Sequence, residues 1–394
     1  NGTTLNLGNS GTTTARQMAG NLIIDAGSSL DMSVTGEVMK RPLTVLGNIT
    51  NSGTLILGGL DVSNAGDLIV KGNFTNNGTL THNSRLVTFN GSTPQTIAGS
   101  STATFGYLLF DNDVSLTNNI SAANRFVINP TRTLNAGTRT ITLSSGVNFA
   151  NSGTFTAGTG KVVFLGASTI TGTNTFYDVE LNGVVDFGTT STVNNILTFK
   201  SGSSVVGTLK YHATSSTLNY SGITVTAGNE FPATDGPANV TLTNNASVTF
   251  GTARTIPGNV TVANGSSLAV TNTLVFNNFE LSGSANFGTA STLNGTLAIN
   301  TGGFVSVNAP TYGASSTLKY NSGVIYGRSL EWSSTSGAGY PNHVQISNNT
   351  TLNLGNSGTT TARQMAGNLT IDAGSALDMS VSGSVMERPL SVLG

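Results

Sequence analysis

Short runs of alternating apolar and polar residues fill almost the whole chain. In "NVTVANGSSLAV", Val260 and Val262 fall on one face of an extended strand and Thr261 falls on the other. The runs are about four to six residues long, are rich in Val, Ile, Leu, Thr and Phe, and end at Gly or Asn. The nearest candidate for a helical turn is "TARQMAGNL", which begins at Thr14. The pattern therefore predicts an all-β chain of short strands.

The shortest repeat unit has about 12 to 13 residues. "GNITNSGTLILG" begins at Gly47, "GLDVSNAGDLIVK" at Gly59 and "GNFTNNGTLTHNS" at Gly72. Each unit is predicted to be a strand, an Asn-x-Gly turn and a second strand, because Asn and Gly both tolerate positive φ. Asn residues that recur at one corner are also expected to form a ladder of side-chain amides.

A longer repeat divides the second half of the chain into sub-repeats near 181–280 and 281–379. The phrase "VVDFGTTSTVNN" in the first sub-repeat matches "SANFGTASTLNG" in the second. The offset between matched phrases grows from 100 at that point to 109 at the phrases "GNVTV" and "GNLTI". Such insertions are typical of loops on the outside of a stacked repeat. The sequence therefore predicts loops at 230–236 and 330–341.

The longest repeat joins the two ends of the sequence. Residues 348–394 are a near-copy of residues 1–47, at an offset of 350 − 3 = 347, and differ at positions such as Lys40, where the copy has Glu387. Divergence of this kind indicates two copies in one gene. We interpret residues 1–347 as one block of a longer tandem polypeptide and residues 348–394 as the start of the next block.

Short strands with tight corners bury their apolar faces when the chain coils and each strand lies on the equivalent strand of the next turn. The expected fold is all-β, a right-handed parallel β-helix (β-solenoid) that forms an elongated rod with short loop insertions. At roughly 20 to 25 residues per turn, the chain would make on the order of 18 turns. The pattern leaves open whether a turn has two faces or three.

Composition narrows the classes of function. Charged residues make up 8% of the chain, the net charge is −1, and Cys is absent. Scattered single charges give no basic surface for nucleic acid, and no apolar run approaches the length of a membrane span. Without Cys there are no disulfides and no thiolate metal ligands. These features fit a secreted or surface protein of a bacterium.

The phrases "NSGTL", "NNGTL" and "GNLTIDAGS" resemble those of large bacterial secreted or surface tandem-repeat β-helix proteins. These include adhesins similar to filamentous haemagglutinin, autotransporter passengers, and Thr/Asn/Gly-rich repeat proteins of Bacteroidetes-type bacteria. The resemblance implies an extracellular structural or adhesive role. This chain has irregular turn lengths and lacks an NPNG-type secretion motif, so the resemblance gives no export route.

Residues for catalysis or metal binding are sparse. The densest acidic group is Asp178, Glu180 and Asp186, and Asp178 and Glu180 share one strand face. A polysaccharide lyase or hydrolase on a β-helix would need such carboxylates, often with a cation. Solvated surface charges are the favoured interpretation. "DND" at 111–113 is interpreted as a polar corner and not as a calcium loop. No pair of His residues has the spacing of metal ligands; the three are His82, His212 and His343.

Aromatic residues in the two predicted loops are the candidate contact residues. Trp332 and Tyr340 lie in the second loop, and Phe231 lies at the matching place in the first. They could stack on a sugar ring or a neighbouring filament. Alternatively, they cover the apolar edge of the turn beneath. This second interpretation is favoured, because an aromatic residue stands at the matching place in both copies.

The sequence as a whole predicts the repeat of an extracellular bacterial filament or surface stalk. It would be non-enzymatic, have no cofactor or metal, and extend by end-to-end stacking of tandem blocks, with lateral bundling as a further expectation. The alternatives are an adhesin that binds glycans or other cells through loops 230–236 and 330–341, and a polysaccharide lyase or hydrolase.

Overall fold

The computed structural model describes residues 2–9, 13–59, 64–356 and 360–394. Residues 60–63 of the repeat unit that begins at Gly59, and residues 1, 10–12 and 357–359 of the duplicated ends, lie outside the described residues. The described residues form a parallel β-solenoid of about 17 turns, with 1% of residues helical. The predicted fold class is confirmed in these respects.

The described part of the chain contains 48 strands and one 3-10 helix, Leu330–Trp332. The first 24 strands are β1 (Thr4–Asn6), β2 (Arg16–Met18), β3 (Leu22–Ile24), β4 (Ser29–Asp31), β5 (Leu43–Val45), β6 (Ile49–Asn51), β7 (Thr54–Ile56), β8 (Leu68–Val70), β9 (Phe74–Asn76), β10 (Thr79–Thr81), β11 (Leu86–Phe89), β12 (Gln95–Ala98), β13 (Ala103–Phe110), β14 (Val114–Leu116), β15 (Ile120–Ile128), β16 (Thr133–Asn135), β17 (Thr140–Leu143), β18 (Phe149–Asn151), β19 (Thr154–Thr156), β20 (Lys161–Phe164), β21 (Ser168–Thr171), β22 (Asn174–Phe176), β23 (Asp178–Leu181) and β24 (Val184–Asp186).

The other 24 strands are β25 (Ser191–Val193), β26 (Ile196–Lys200), β27 (Ser204–Val206), β28 (Leu209–Tyr211), β29 (Thr217–Ser221), β30 (Thr224–Thr226), β31 (Asn239–Thr243), β32 (Ser247–Phe250), β33 (Arg254–Val262), β34 (Ser267–Val270), β35 (Leu274–Leu281), β36 (Ser284–Asn286), β37 (Thr292–Leu293), β38 (Thr296–Asn300), β39 (Phe304–Val305), β40 (Thr311–Tyr312), β41 (Thr317–Asn321), β42 (Ile325–Gly327), β43 (His343–Ile346), β44 (Thr351–Asn353), β45 (Arg363–Met365), β46 (Leu369–Ile371), β47 (Ala376–Asp378) and β48 (Leu390–Val392).

The chain divides into two compact units. The first comprises Asn1–Ile196 and Gly202–Lys210, and the second comprises Leu197–Ser201 and Tyr211–Gly394. In the first unit β5, β6 and β7 make one turn and pair in parallel with β8, β9 and β10 of the next turn. All three pairings have the same spacing in sequence, as in Leu43↔Leu68. A turn here therefore has three faces, which answers the question that the sequence left open.

Turn length varies more widely than the sequence pattern predicts. Paired positions differ by 120 − 103 = 17 at Ala103↔Ile120 and by 390 − 363 = 27 at Arg363↔Leu390. The shortest sequence unit is not a whole structural turn. Units begin at Gly47, Gly59 and Gly72, and Gly47 lies against Gly72, not against Gly59. A Cβ on Gly72 would lie 2.4 Å from the Gly47 carbonyl oxygen. Two sequence units therefore make one turn, and side-chain-free corners let successive turns approach closely.

Aromatic side chains stack along the core of the first unit. The Phe126 and Phe149 ring centroids are 4.9 Å apart, and the rings are nearly parallel. Further neighbours in this row are 5.4 to 6.3 Å apart: Phe74, Phe89, Phe105 and Phe110. Inward and outward positions alternate along most of these strands, for example in Leu86–Phe89 with Val87 and Phe89 buried, so the sequence pattern selects most of these residues.

The predicted amide ladder is present. The buried Asn51 Nδ2 donates to Asn76 Oδ1 at 2.8 Å, one turn away. At another corner Asn21 Oδ1 accepts the Asn48 amide and Asn48 Oδ1 accepts the Asn73 amide, both at 2.8 Å. Each side chain therefore bonds to the next turn.

The segment "TARQMAGNL" has no helical turn among its described residues. It contains β2, and β3 begins at its last residue, Leu22. The pairing of β2 with β5 holds this segment extended, so tertiary pairing outweighs the weak local preference.

Candidate contact surfaces and buried carboxylate clusters

The duplicated ends of the chain fold alike. Strands β44 to β48 are the counterparts of β1 to β5 and have the same lengths. Their first positions differ by the offset of the sequence duplication, for example 351 − 4 = 347 for β44 and β1. The register is also the same: Thr4 pairs with Ser29 as Thr351 pairs with Ala376. One sequence therefore gives one turn structure at both places, which extends the sequence match to strand bounds and pairing.

The two copies differ in which face is covered. Met18 is 38% exposed in the first copy, whereas its counterpart Met365 is fully buried. Leu5 is 56% exposed and its counterpart Leu352 is fully buried. In the second copy β44 pairs with the preceding β42, and this pairing covers the edge that β1 leaves open.

On the face that meets the following turn, the first copy is covered and the second copy is exposed. Ile24 in β3 is buried because β6 lies on it, whereas its counterpart Ile371 in β46 is 45% exposed. Val45 in β5 is buried beneath β8, whereas its counterpart Val392 is exposed. Each copy therefore exposes the apolar face that the other copy buries.

The candidate residue Trp332 lies in the core of the second unit. Its side chain has no exposed surface, and Nε1 donates to the Gln364 carbonyl at 2.9 Å. The 3-10 helix Leu330–Trp332 inserts the ring, and the Arg328 Nη1 donates to the Trp332 carbonyl at 2.8 Å. The indole therefore has no surface that a ligand in solvent could contact.

Phe231 is placed in the same way. Its ring is buried, and the Phe231 and Phe250 ring centroids are 5.3 Å apart. The Arg254 Cζ atom lies 5.2 Å from the Phe231 centroid.

Tyr340 is half-buried, unlike Phe231 and Trp332. Its hydroxyl accepts a hydrogen bond from Gln364 Nε2 at 3.2 Å. These positions accord with the edge-covering interpretation for Phe231 and Trp332, and leave Tyr340 as the accessible member of the set.

A buried glutamate precedes each of the two aromatic residues. The Tyr220 hydroxyl and the Gly228 amide each donate to Glu230 Oε1 at 2.9 Å, and the Tyr211 hydroxyl donates to the Glu230 carbonyl at 2.6 Å. Glu230 has almost no exposed surface. We call Tyr211, Tyr220 and Glu230 the first carboxylate cluster.

The second carboxylate cluster, Tyr312, Tyr320 and Glu331, repeats this geometry one sub-repeat later. The Tyr320 hydroxyl donates to Glu331 Oε1 at 3.2 Å, the Ser329 amide donates to the same oxygen at 2.7 Å, and the Tyr312 hydroxyl donates to the Glu331 carbonyl at 2.8 Å. Glu331 is fully buried, and within the described residues its Oε2 has no hydrogen-bond partner. The internal repeat thus duplicates a polar core cluster as well as an apolar pattern.

Burial dominates the electrostatics of the second cluster. Burial raises the pKa of Glu331, against the hydrogen bond from Ser329 and the charge of Arg328, which lower it. Burial, with the nearby Glu331 carboxylate, raises the pKa of Tyr312 and Tyr320 well above the ordinary value. Desolvation lowers the pKa of Arg363 to about 10. The cluster therefore favours neutral tyrosines that donate hydrogen bonds.

The three predicted surface carboxylates all have structural partners in the first unit. Asp178 Oδ1 accepts from Asn195 Nδ2 at 2.8 Å, and Glu180 pairs with the Lys161 ammonium at 2.8 Å. Asp186 Oδ1 accepts the amide of Gly188 at 2.9 Å. These contacts cap corners and link turns, and the three side chains are half-buried, not fully solvated.

The acidic side chains of the corner at 111–113 also accept hydrogen bonds from neighbouring residues. Asp111 Oδ1 accepts from Asn129, and Asp113 Oδ1 accepts the Thr133 amide. Two of the His side chains act as hydrogen-bond acceptors: His82 Nδ1 accepts the Ser84 amide in its own corner, and His343 Nδ1 accepts the Asn368 amide, 25 residues along the chain. His212 Nδ1 lies 2.9 Å from the Ser215 hydroxyl. Among the residues that the structure describes, no group of three or more His, Cys, Asp or Glu side chains is placed to hold a metal ion.

The alternating pattern of the sequence does not predict either carboxylate cluster. A signal was present, since "NEF" and "LEW" keep Glu before an aromatic at 230 and 331, while the rest of each insertion differs. A buried Glu is unusual. Only the fold shows that tyrosines from neighbouring strands reach it.

No protein-family model, curated protein or solved structure matches this chain. The fold and the repeats place it in the class of tandem-repeat parallel β-solenoid proteins. Across the described ranges of the chain, no helix has the length and apolar character to cross a membrane.

Proposed function

We propose that this chain is the structural repeat of an extracellular bacterial filament or surface stalk. It acts without catalysis and extends as tandem blocks whose turns stack end to end. Its partner is a further block of the same sequence. The low charge of the chain, with 33 ionisable Lys, Arg, Asp and Glu residues among 394 (16 + 17 = 33), reduces repulsion between stacked or bundled copies.

The observation that carries the proposal is the reciprocal burial of the duplicated ends. A strand equivalent to β42 fits against β1 and would cover Leu5, as β42 covers the region around Leu352. Strands equivalent to β6 and β8 fit against β46 and β48 and would cover Ile371 and Val392. The sequence that each face needs as a neighbour is therefore present elsewhere in the same chain.

Exposed strand edges favour this kind of pairing. A parallel edge presents a row of unpaired amides and carbonyls that template another strand. In a solenoid each turn contacts only its neighbours, so stability grows with the number of stacked turns. Tension along such a stack is shared by the hydrogen bonds between turns.

A two-block chain tests the proposal. It consists of residues 1–394 followed directly by residues 48–394. We expect the amide of Ile371 at the junction to exchange as slowly as that of Ile24, and the two-block chain to unfold at higher urea than the single chain. The measurements are hydrogen exchange and urea denaturation.

The control is the same chain with a flexible Gly/Ser linker at the junction. It has the same composition in both blocks but no continuous turn there, so Ile371 should stay as exposed as in the single chain. Fast exchange at Ile371 in both two-block chains would show that the blocks do not stack.

Adhesion through the loops is a second candidate function. Residues 233–235 and 335–338 are exposed in the second unit, and Tyr340 lies beside the latter segment. Tyrosine can stack on a sugar ring. Because Trp332 is buried, Tyr340→Ala is the informative substitution: lost binding on a glycan array would favour adhesion, and unchanged binding would count against it.

A further inference from the structure

The turn that opens the second copy is paired by strands with the preceding turn on two of its three faces. Strand β44 pairs with β42 and β46 pairs with β43. Strand β45 lies between β44 and β46, and in the described part of the chain it forms a sheet with β48 of the following turn alone. At the same place between β42 and β43, the preceding turn has the insertion with the 3-10 helix. Another kind of contact must therefore join the two turns on this face.

Two side chains of the preceding turn donate hydrogen bonds across this face. Arg328 Nε donates to the Leu354 carbonyl at 3.1 Å, and Arg328 Nη2 donates to the Asn356 carbonyl. Trp332 Nε1 donates to the Gln364 carbonyl at 2.9 Å. The acceptors lie 26 to 32 residues further along the chain. Arg328 and Trp332 are buried, and bonds from a buried guanidinium are among the stronger ones in proteins.

The second copy also donates back to the insertion. Asn356 Nδ2 donates to the Arg328 carbonyl at 3.0 Å, and Gln364 Nε2 donates to the Tyr340 hydroxyl at 3.2 Å. We call Arg328, Trp332 and Tyr340 the junction clamp. Its contacts depend on an Asn and a Gln at fixed places in the following turn, as well as on the backbone of that turn.

The first turn of the chain presents the same surface. It has the same residues as the second copy at the three contact positions, at an offset of 364 − 347 = 17 for the Gln. These residues are Leu7, Asn9 and Gln17. Asn9 and Gln17 are exposed, and β2 pairs with β5 as β45 pairs with β48. The face that the clamp covers at the second copy is therefore open at the first.

The insertion of the first sub-repeat lacks both donors. Ala227 stands in the place of Arg328, and Phe231 stands in the place of Trp332, at an offset of 328 − 227 = 101. The Phe231 ring packs against Phe250 instead. The donors therefore stand at the insertion before the start of a block and not at the insertion within the block.

We propose that the junction clamp is a docking surface for the first turn of a block, and that the first turn of this chain takes the clamp of a preceding copy. In that contact Arg328 of the preceding copy donates to the carbonyls of Leu7 and Asn9, and its Trp332 donates to the carbonyl of Gln17. The inference rests on the proposed filament function, which makes the partner a further block of the same sequence, and it adds the residues that recognise that partner.

An N-terminal extension of the full chain tests this docking. Residues 281–347, which contain the second carboxylate cluster and the clamp, are placed directly before residue 1. At the existing junction the Thr351 amide donates to the Val324 carbonyl at 3.2 Å. The counterpart Thr4 amide should therefore exchange at least about tenfold more slowly in the extended chain than in the unextended chain. The extension adds a second Trp to the single one of the chain, and acrylamide should quench neither.

Arg328→Ala in the extension is the test variant, and Tyr326→Val in the extension is the matched control. Each introduces the residue that the first insertion has at that place, Ala227 or Val225. Among the described residues the buried Tyr326 hydroxyl has no hydrogen-bond partner, so the control keeps every bond of the clamp. With Arg328→Ala, Thr4 should exchange as fast as in the unextended chain and the Trp of the extension should become quenchable. Tyr326→Val should behave like the unaltered extension.

The inference would be overturned if the unaltered extension did not slow exchange at Thr4, or if the Arg328→Ala extension slowed it equally. The Thr317 amide of the extension, which donates to the Gly295 carbonyl at 2.9 Å, reports whether the extension itself is folded. If Thr317 exchanges fast in the Arg328→Ala extension, Trp332→Phe takes its place, because it keeps an aromatic ring and removes the Nε1 donor. Faster exchange at Thr4 with Trp332→Phe supports the clamp, and unchanged exchange refutes it.

The filament proposal is measured separately, at Ile371 in the two-block chain. Slow exchange at Ile371 together with a failed clamp test would mean that blocks stack without the clamp, and this inference alone would fall. Fast exchange at Ile371 together with slow exchange at Thr4 would refute stacking on the other face and leave the clamp in place.

Discussion

The Tyr320 hydroxyl donates to the Glu331 carboxylate at 3.2 Å inside a core where Tyr320 has no exposed surface and neither has Glu331. Tyr220 and Glu230 form the same bond at 2.9 Å one sub-repeat earlier. A buried charge without donors is costly, and the hydrogen bonds that Tyr320 and the Ser329 amide donate to Oε1 offset part of the cost of burying Glu331. The repeat therefore preserves a polar contact in its core as well as the apolar pattern.

Glu331→Gln should change how the stability of the second unit depends on pH. Burial raises the folded pKa of Glu331 above its ordinary value of 4.5. Its contribution to stability is therefore full below pH 4.5 and is lost as the pH rises through the folded pKa. The unfolding free energy of the wild type relative to Glu331→Gln should be highest near pH 4 and fall towards pH 7. Urea titrations across this range measure it, and a difference that rises with pH would contradict the assignment.

Trp332→Ala should destabilise the second unit by about 3–5 kcal/mol, because it leaves a large cavity and removes the hydrogen bond to the Gln364 carbonyl. Tyr340→Ala, a few residues away and half-buried, should cost less than about 1 kcal/mol. Urea denaturation of both variants is the measurement. Similar costs for the two would show that the indole does not support the core.

Gly78→Ala should destabilise the first unit by about 1–3 kcal/mol through overpacking. A Cβ on Gly78 would lie 2.1 Å from the Gly53 carbonyl oxygen of the preceding turn. Gly20→Ala is the matched control, because a Cβ there meets nothing within 4 Å and Gly20 does not have a positive φ. This change should be neutral or stabilise by about 0.4–1 kcal/mol. Thermal unfolding separates the two, and equal shifts would argue against close contact at the corner.

Asn76→Ala should cost about 1–3 kcal/mol, because it removes the acceptor of one N–H of the buried Asn51 side-chain amide and leaves that amide with its hydrogen bond to the Thr79 carbonyl alone. Asn119→Ala removes the acceptor of the Thr140 amide at an exposed corner, where water replaces it. Its effect should stay within about 0.5 kcal/mol. Urea denaturation of the pair tests the amide ladder, and a larger loss for Asn119→Ala would refute its importance.

The sequence by itself determined the strands, the parallel stacking and the corner ladders. Alternation with a period of two places Val260 and Val262 inside, and Asn and Gly mark the corners, because these preferences depend on local geometry and on burial alone. The near-identity of residues 1–47 and 348–394 accounts for the repeat of β1 to β5 in β44 to β48.

Tertiary structure decided what depends on which turns meet. The sequence could not set the number of faces or the spread in turn length, from the short turn at Ala103↔Ile120 to the long one at Arg363↔Leu390, since corners absorb extra residues without changing the strand pattern. It favoured Trp332 as a cover of the apolar edge beneath its loop, but it did not link Glu230 to the tyrosines of its cluster. The hydrogen bonds of Tyr211 with Glu230 and of Trp332 with Gln364 join residues on different turns, and only the pairing of the turns brings them within hydrogen-bond distance.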